Sequence, residues 1–171
     1  VKLAHAERYV LAIEEALSPF CKRITVAGSV RRKRPFVNDI DFVVLDPDPL
    51  QFRQRASANS TIVKDGPEIL IVRLKDGTQV DFYFAHGPSK ELLETKPGNW
   101  GTVLLCRTGS KEHNIFLAQR AQKLGFKWET MIGLTFAVDM KGSQIMASET
   151  EEEIFKELGL PFIKPEDRER P

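Results

Sequence analysis

The run Asp39-Ile40-Asp41-Phe42-Val43-Val44-Leu45 constrains this chain more than any other stretch. Read as a strand, it puts Ile40, Phe42 and Val44 on one face and Asp39 and Asp41 together on the other. Thr78 to Phe84 repeats the pattern: Val80, Phe82 and Phe84 face one way, and Asp81 interrupts an otherwise apolar stretch. If the two strands are neighbours in one sheet, three carboxylates converge on one face. Asp39 and Asp41 alone read more readily as two solvated acids on an exposed strand edge than as a cation site. Asp81 is what makes that reading harder. Carboxylates gathered this way repel, and a cation between them relieves the repulsion; Mg²⁺ prefers one or two carboxylates plus substrate phosphates.

A second element precedes the acids. Gly28-Ser29 follows the apolar run Ile24 to Ala27, which reads as a strand. A glycine there permits a tight turn, and a helix opening after it presents backbone N–H groups to a phosphate. Ser29 adds a hydroxyl donor, and Arg31 and Arg32 add guanidinium groups for charge-assisted bonds to a triphosphate. Taken alone, Gly-Ser is simply a turn.

Around these motifs the chain alternates in type. Leu3, Ala6, Val10, Ile13 and Leu17 mark an amphipathic helix over Lys2 to Leu17, ended by Ser18-Pro19. Thr61 to Val63, Glu68 to Leu74 and Thr78 to Phe84 read as strands, with Gly66-Pro67 and Asp76-Gly77 as turns. Pro88 to Gly98 is a polar connector. Asn99 is placed to cap a helix to about Arg107. After Thr108-Gly109-Ser110 a second helix runs to about Leu124, with Leu117, Ala121 and Leu124 as its core seam. Short strands are expected around Gly133 and Gly142. Ser148 to Glu151 reads as a capping box for a helix to Leu158, stopped by Gly159. The order gives an α+β chain of two lobes with a boundary near Pro97.

Charge is nearly balanced, at +1 over 171 residues, but it is not evenly spread. Lys22 to Arg34 holds six bases and no acid, and Arg107 to Lys127 holds five bases and one acid, whereas Glu149 to Glu169 holds eight acids and three bases. Two basic zones suit a polyanionic partner touched at two places, or two solvated faces. Cys21 and Cys106 are too few for a disulfide framework or a zinc site, and they suit the cytoplasm or another reducing intracellular compartment. No apolar run approaches the length of a transmembrane helix, and the first residues do not read as a signal peptide, so no membrane partner is expected.

Gly28-Ser29-Val30-Arg31-Arg32, then Asp39-Ile40-Asp41, then Asp81, resembles the nucleotidyltransferase core of family X DNA polymerases, the group containing DNA polymerase beta. The second half resembles that family independently. Thr108-Gly109-Ser110-Lys111-Glu112-His113-Asn114 is similar to its thumb motif. Glu151 to Phe155, Leu158-Gly159-Leu160-Pro161 and Pro165 to Glu169 are similar to its C-terminal end.

The resemblance implies a palm with a mixed β-sheet and helices on one face over residues 1–97, followed by a small α+β thumb over 98–171. It implies that Asp39, Asp41 and Asp81 hold two Mg²⁺ ions, Mn²⁺ being able to substitute, with Asp81 nearer the primer side. Gly28, Ser29 and Arg32 match positions that cradle the β- and γ-phosphates, and Arg31 reads equally as a surface charge. Gly109 matches a turn near the sugar, and Asn114 matches the residue that reaches the minor-groove edge of the incoming base, a contact that checks pair geometry without choosing a base. Arg31, Lys33, Arg34, Lys111 and Arg120 are the further candidates for DNA contact. The partners implied are primer-template or gapped DNA and nucleoside triphosphates, handled by a monomer in short gap filling during repair.

Departures from the family pattern matter too. An aromatic pair commonly precedes Thr-Gly-Ser and helps exclude ribose; Cys106 and Arg107 stand there, so weak sugar discrimination is expected. An arginine four residues beyond the asparagine is replaced by Ala118. The small domain that grips a downstream 5′ phosphate has no counterpart here, so no lyase activity is expected. Trp100 and Trp128 read as core or interface rather than stacking platforms, and His113 suggests no chemistry. Two other readings stay open. Another small nucleotidyltransferase would share Gly-Ser and Asp-x-Asp but not the Thr-Gly-Ser to Asn114 segment. A non-catalytic nucleotide- or DNA-end-binding subunit would have no reason to keep all three carboxylates.

Overall fold

Apolar alternation needs a cover, and two helices supply it. In a computed structural model of the protein, which describes residues 1–90, 95–136 and 144–169, the chain opens with α1 (Leu3–Leu17), β1 (Cys21–Val26), the four-residue α2 (Gly28–Arg31) and β2 (Asp39–Pro47). It continues through α3 (Gln51–Ser57), β3 (Ser60–Asp65), β4 (Ile69–Leu74) and β5 (Gln79–Ala85). The five strands form one mixed sheet in the order β1-β2-β5-β4-β3, antiparallel except for β2 with β5, which is parallel. Ile40, Phe42 and Val44 from β2 and Val80, Phe82 and Phe84 from β5 share one core with Ala6, Val10 and Leu17 of α1 and Phe52 of α3. Phe42, Phe52 and Phe82 are fully buried, each contributing roughly 1.5–3 kcal/mol.

α3 lies where no element was expected. Its signal is Asp48, whose carboxylate accepts the backbone N–H groups of Leu50 and Gln51. The Gln51 N–H in particular holds this carboxyl below its usual range. The helix then delivers Phe52 edge-on to Phe82 and Phe84, at centroid distances of 5.4 and 5.8 Å.

The chain divides into two compact units, Val1–Ala85 and His86–Pro171, ahead of the composition change near Pro97. The connector joins the second unit because its polar groups are spent there. The Asn99 side chain accepts from the His86 N–H and donates to the Met131 carbonyl, so it does not cap the following helix as expected. The Gly98 N–H donates to Glu149, and the Ser148 hydroxyl donates to the Gly98 carbonyl.

The second unit comprises the two-residue strands β6 (Ser89–Lys90) and β7 (Thr95–Lys96), helices α4 (Trp100–Thr108) and α5 (Lys111–Lys123), then β8 (Phe126–Glu129), β9 (Gly133–Phe136), β10 (Ile145–Ala147) and α6 (Glu151–Glu157). The last three strands form an antiparallel sheet in the order β10-β9-β8. Its core is Leu105, Leu117, Ala121, Leu134, Ala147, Ile154, Phe155 and Leu158. Leu124 is exposed rather than part of that seam, because α5 ends at Lys123 and the chain turns at Gly125. The cap of α6 is Thr150, which accepts from the Glu153 N–H; Ser148 is already committed to Gly98. Gly142 lies outside the described residues. A Cβ on Gly101 would overlap the backbone of Thr150, so α4 and the start of α6 meet without side chains between them.

Arg168 is fully buried and donates to Glu151 at 2.7 Å, with its Nε on the Ile163 carbonyl. Breaking such a pair strands a charge. We expect Arg168→Met to cost about 3–5 kcal/mol in urea unfolding. Lys33→Ala, which removes an exposed pair with Glu7, costs under about 1 kcal/mol.

The Tyr9 hydroxyl on α1 donates to Asp76 in the β4–β5 turn at 2.5 Å. This bond, with that of the Thr78 N–H, lowers the Asp76 carboxyl below its usual range, and the same bond raises the Tyr9 phenol. The carboxylate's contribution is complete above the ordinary carboxyl range and fades as pH falls through its depressed folded value; the phenol's fades as pH rises through its raised one. The melting-temperature gap between wild type and Tyr9→Phe is therefore widest between those ranges. Thermal melts across pH check this, and a gap independent of pH contradicts it.

Candidate active site

The parallel pairing of β2 with β5 sets Asp41 directly beside Asp81 and Asp39 beside Gln79. One carboxylate oxygen from each of Asp39, Asp41 and Asp81 lies within 4.8 Å of the others. Asp39 and Asp41 are half-buried, and Asp81 is buried. The Gln79 side-chain amide donates to Asp81 Oδ1 at 2.9 Å, and the Tyr83 hydroxyl donates to Oδ2 at 3.3 Å. Both are two residues from Asp81 and share its face. Sequence reasoning missed them, although period-two spacing on β5 was the signal that could have found them.

Like charges this close repel by roughly 3 kcal/mol per pair at an effective dielectric of about 20. The donor set is all carboxylate oxygen, without histidine or cysteine, which fits a hard cation such as Mg²⁺.

Gly28 sits against this cluster. Its φ is +56°, and a Cβ there would land on an Asp41 carboxylate oxygen. The Ala27 N–H donates to the Asp41 carbonyl at 2.7 Å, which locks the turn onto β2. The neighbouring Ser29 hydroxyl oxygen is buried and has no hydrogen-bond partner. A buried hydroxyl without a partner is costly unless something supplies one. Arg31 and Arg32 are half-buried behind the turn, and the Arg32 N–H closes onto the Gly28 carbonyl. Lys33 and Arg34 are exposed; Lys33 pairs with Glu7 at 2.8 Å.

In the second unit Gly109 has φ +68° at the end of α4, and Ser110 caps α5. The Ser110 hydroxyl accepts from the His113 N–H and donates to the Arg168 carbonyl. Asn114 donates from its amide to the Cys106 carbonyl at 2.8 Å, and its Oδ1 is buried without a hydrogen-bond partner. Lys111 is exposed at the first position of α5, whereas Arg120 donates through Nε to the Leu158 carbonyl at the end of α6. Trp100 is buried, and Trp128 donates to Thr102, which suits the core role expected of both.

Residues 103–169 match the DNA polymerase beta thumb family. The DNA polymerase/3'-5' exonuclease PolX of Bacillus subtilis (strain 168) is 29% identical over 171 residues, covering 98% of this chain. The chain is thus similar to family X DNA polymerases. It spans 28% of the length of that relative. Its fold is that of polymerase beta. The crystal structure of Leishmania infantum polymerase beta as a ternary P/T complex superposes with a TM-score of 0.75 at 18% identity, over 99% of this chain and 76% of that one. The ternary gap complex of the same protein gives 0.74 at 18% identity, over 99% and 70%. Among the described residues, no helix is long and apolar enough to cross a membrane.

Gly28→Ala adds a side chain to a crowded, left-handed position, whereas Gly77, with φ +90°, has open space around it. We expect Gly28→Ala to destabilise the first unit by more than about 1 kcal/mol and to weaken Mn²⁺ binding in titration. Gly77→Ala carries only the backbone strain and leaves Mn²⁺ binding unchanged; equal effects from the two would contradict the contact with Asp41.

Proposed function

We propose that this chain performs the nucleotidyl-transfer step of a DNA-directed DNA polymerase, extending a primer 3′-hydroxyl in short gap filling during DNA repair. The observation that supports this is the convergence of Asp39, Asp41 and Asp81 on one sheet face beside Gly28. In the reaction the primer 3′-hydroxyl releases its proton to solvent and its oxygen bonds to the α-phosphorus of a nucleoside triphosphate. The bond from that phosphorus to the oxygen bridging to the β-phosphate breaks, and pyrophosphate leaves. The three aspartates would hold two Mg²⁺ ions, or Mn²⁺ in their place, which when bound lower the pKa of the primer hydroxyl and neutralise charge on the triphosphate.

The chain's own residues contribute position and charge. Gly28, lacking a side chain, leaves the backbone open to close approach by phosphate, and the Ser29 hydroxyl gains a partner there. Arg32, and Arg31 beside it, supply guanidinium charge to the β- and γ-phosphates. Gln79 and Tyr83 fix the Asp81 carboxylate on the primer side. In the second unit Gly109 is assigned to the sugar and Asn114 to the minor-groove edge of the base. Holding the Asn114 amide on the Cys106 carbonyl restricts its rotamer before substrate arrives. Arg31, Lys33, Arg34 and Lys111 are assigned to DNA phosphates, with Arg120 contributing the guanidinium nitrogens not used on Leu158. The free cysteines suit a reducing intracellular compartment, and the protein is taken to work as a monomer.

Single-nucleotide extension of a primed duplex and of a one-nucleotide gap tests the reading. With Mg²⁺ we expect template-matched extension that Asp81→Ala reduces by at least about a hundredfold. Extension with any nucleotide regardless of template overturns template direction, and no extension by wild type overturns the polymerase reading. With Cys106 and Arg107 before the Gly109 turn, ribonucleotides are expected to be used appreciably; a deoxy preference well above about a thousandfold contradicts this.

A further inference from the structure

Phe36 is the most exposed large apolar side chain among the described residues, at 73%. It follows four consecutive cations, Arg31-Arg32-Lys33-Arg34, and Pro35. We propose that this loop between α2 and β2 binds single-stranded nucleic acid, with Phe36 as a base-stacking platform and Lys33 and Arg34, the exposed cations before it, on the phosphates. The proposal rests on the reading of the chain as a DNA-acting protein, but it adds a site that the three carboxylates do not involve.

The ring is exposed because the backbone holds it there. The Leu3 N–H donates to the Pro35 carbonyl, the Val37 N–H donates to the Val1 carbonyl at 2.9 Å, and Lys2 bridges Phe36 in antiparallel fashion. The Arg34 N–H donates to the Ser29 carbonyl at 3.0 Å, which ties the other end of the loop to the phosphate-facing turn. Val37 is 1% exposed and belongs to the core. Extended backbone with Val37 pointing in turns Phe36 outward. A side chain presented on a fixed backbone loses little further freedom on binding.

The chemistry fits a nucleobase better than a lipid surface. One aromatic ring flanked by cations is the pattern by which single strands are held, the base on the ring and the backbone on the charges. A membrane contact needs a wider apolar patch; along the chain the neighbours are Arg34, a proline, a buried valine and Asn38, and across the bridge Lys2 stands opposite, with Val1 the one exposed apolar residue of that short stretch.

The test is binding of fluorescein-labelled oligothymidine by the whole chain at low salt, without divalent cation or nucleotide. Phe36→Ala is expected to weaken binding by about tenfold, within a range of roughly five- to a hundredfold, since stacking on an aromatic is sequence-tolerant and strong. Phe36→Trp is expected to bind as wild type, with its new indole emission quenched by the oligonucleotide. Equal affinity of the Phe36→Ala variant overturns the proposal. So does indole emission from the Phe36→Trp variant, measured against wild type, that responds to phosphatidylglycerol vesicles and not to oligothymidine. Should Phe36→Ala melt abnormally, the emission of the Phe36→Trp variant decides alone. Because no catalysis is involved, binding without primer extension sinks the polymerase reading only, whereas extension with binding insensitive to Phe36 sinks this site only.

Discussion

One-sided burial of two neighbouring strands organises the first unit. Ile40, Phe42, Val44, Val80, Phe82 and Phe84 must be covered by α1 and α3, and the strand period of two then forces Asp39, Asp41 and Asp81 onto the opposite face. Register and burial are the same constraint. Sliding β5 by one residue would drive Asp81 into the aromatic core between Phe42 and Phe52, so a sheet with an intact core carries a correctly assembled carboxylate set. The parallel pairing also requires the long crossover through α3, β3 and β4, which places Phe52 over the two aromatic rows it shields.

What the core forces onto the acidic face is electrostatically expensive, and the surrounding residues leave that expense open to relief from outside. Gln79 and Tyr83 satisfy part of Asp81, but the close approach of Gly28 to Asp41 excludes a side chain from the space where one could otherwise intrude. Ser29, with a buried hydroxyl lacking a partner, adds to the same imbalance. Sites are where such local costs concentrate while the rest of the chain is locally consistent. The resemblance to the Bacillus subtilis relative and the polymerase beta fold give that imbalance a chemical context.

Strand alternation made most of the sheet legible from the sequence, down to the neighbouring of β2 and β5 as the condition for a three-carboxylate face. The α+β fold followed from the same patterns and from the resemblance. What escaped was set by competition among polar side chains. Asn99 looked like a cap, yet its amide is drawn to His86 and Met131, and that moves the connector into the second unit. Ser148 was displaced from the capping role by Gly98, leaving it to Thr150. α3 was hidden because a short helix between prolines and polar residues has little periodicity, and only Asp48 and Phe52 reveal it. Gln79 and Tyr83 were invisible as site residues because each is ordinary by itself and matters only through what Asp81 is.

Gly101 carries a consequence for how this chain can change. Replacing a helical glycine by alanine ordinarily favours the helix by about 1 kcal/mol. Here the added methyl would meet the backbone of Thr150, which cannot rotate away as a side chain would. The distance between α4 and the cap of α6 is therefore set by main chain against main chain, and no choice of residue tunes it. α4 is a nine-residue rod, and its far end bears Gly109 and the Ser110 cap. A shift forced at Gly101 would be delivered whole, across about 13 Å, to that turn. Position 101 has no conservative substitution, and drift there is read out at the other end of the helix.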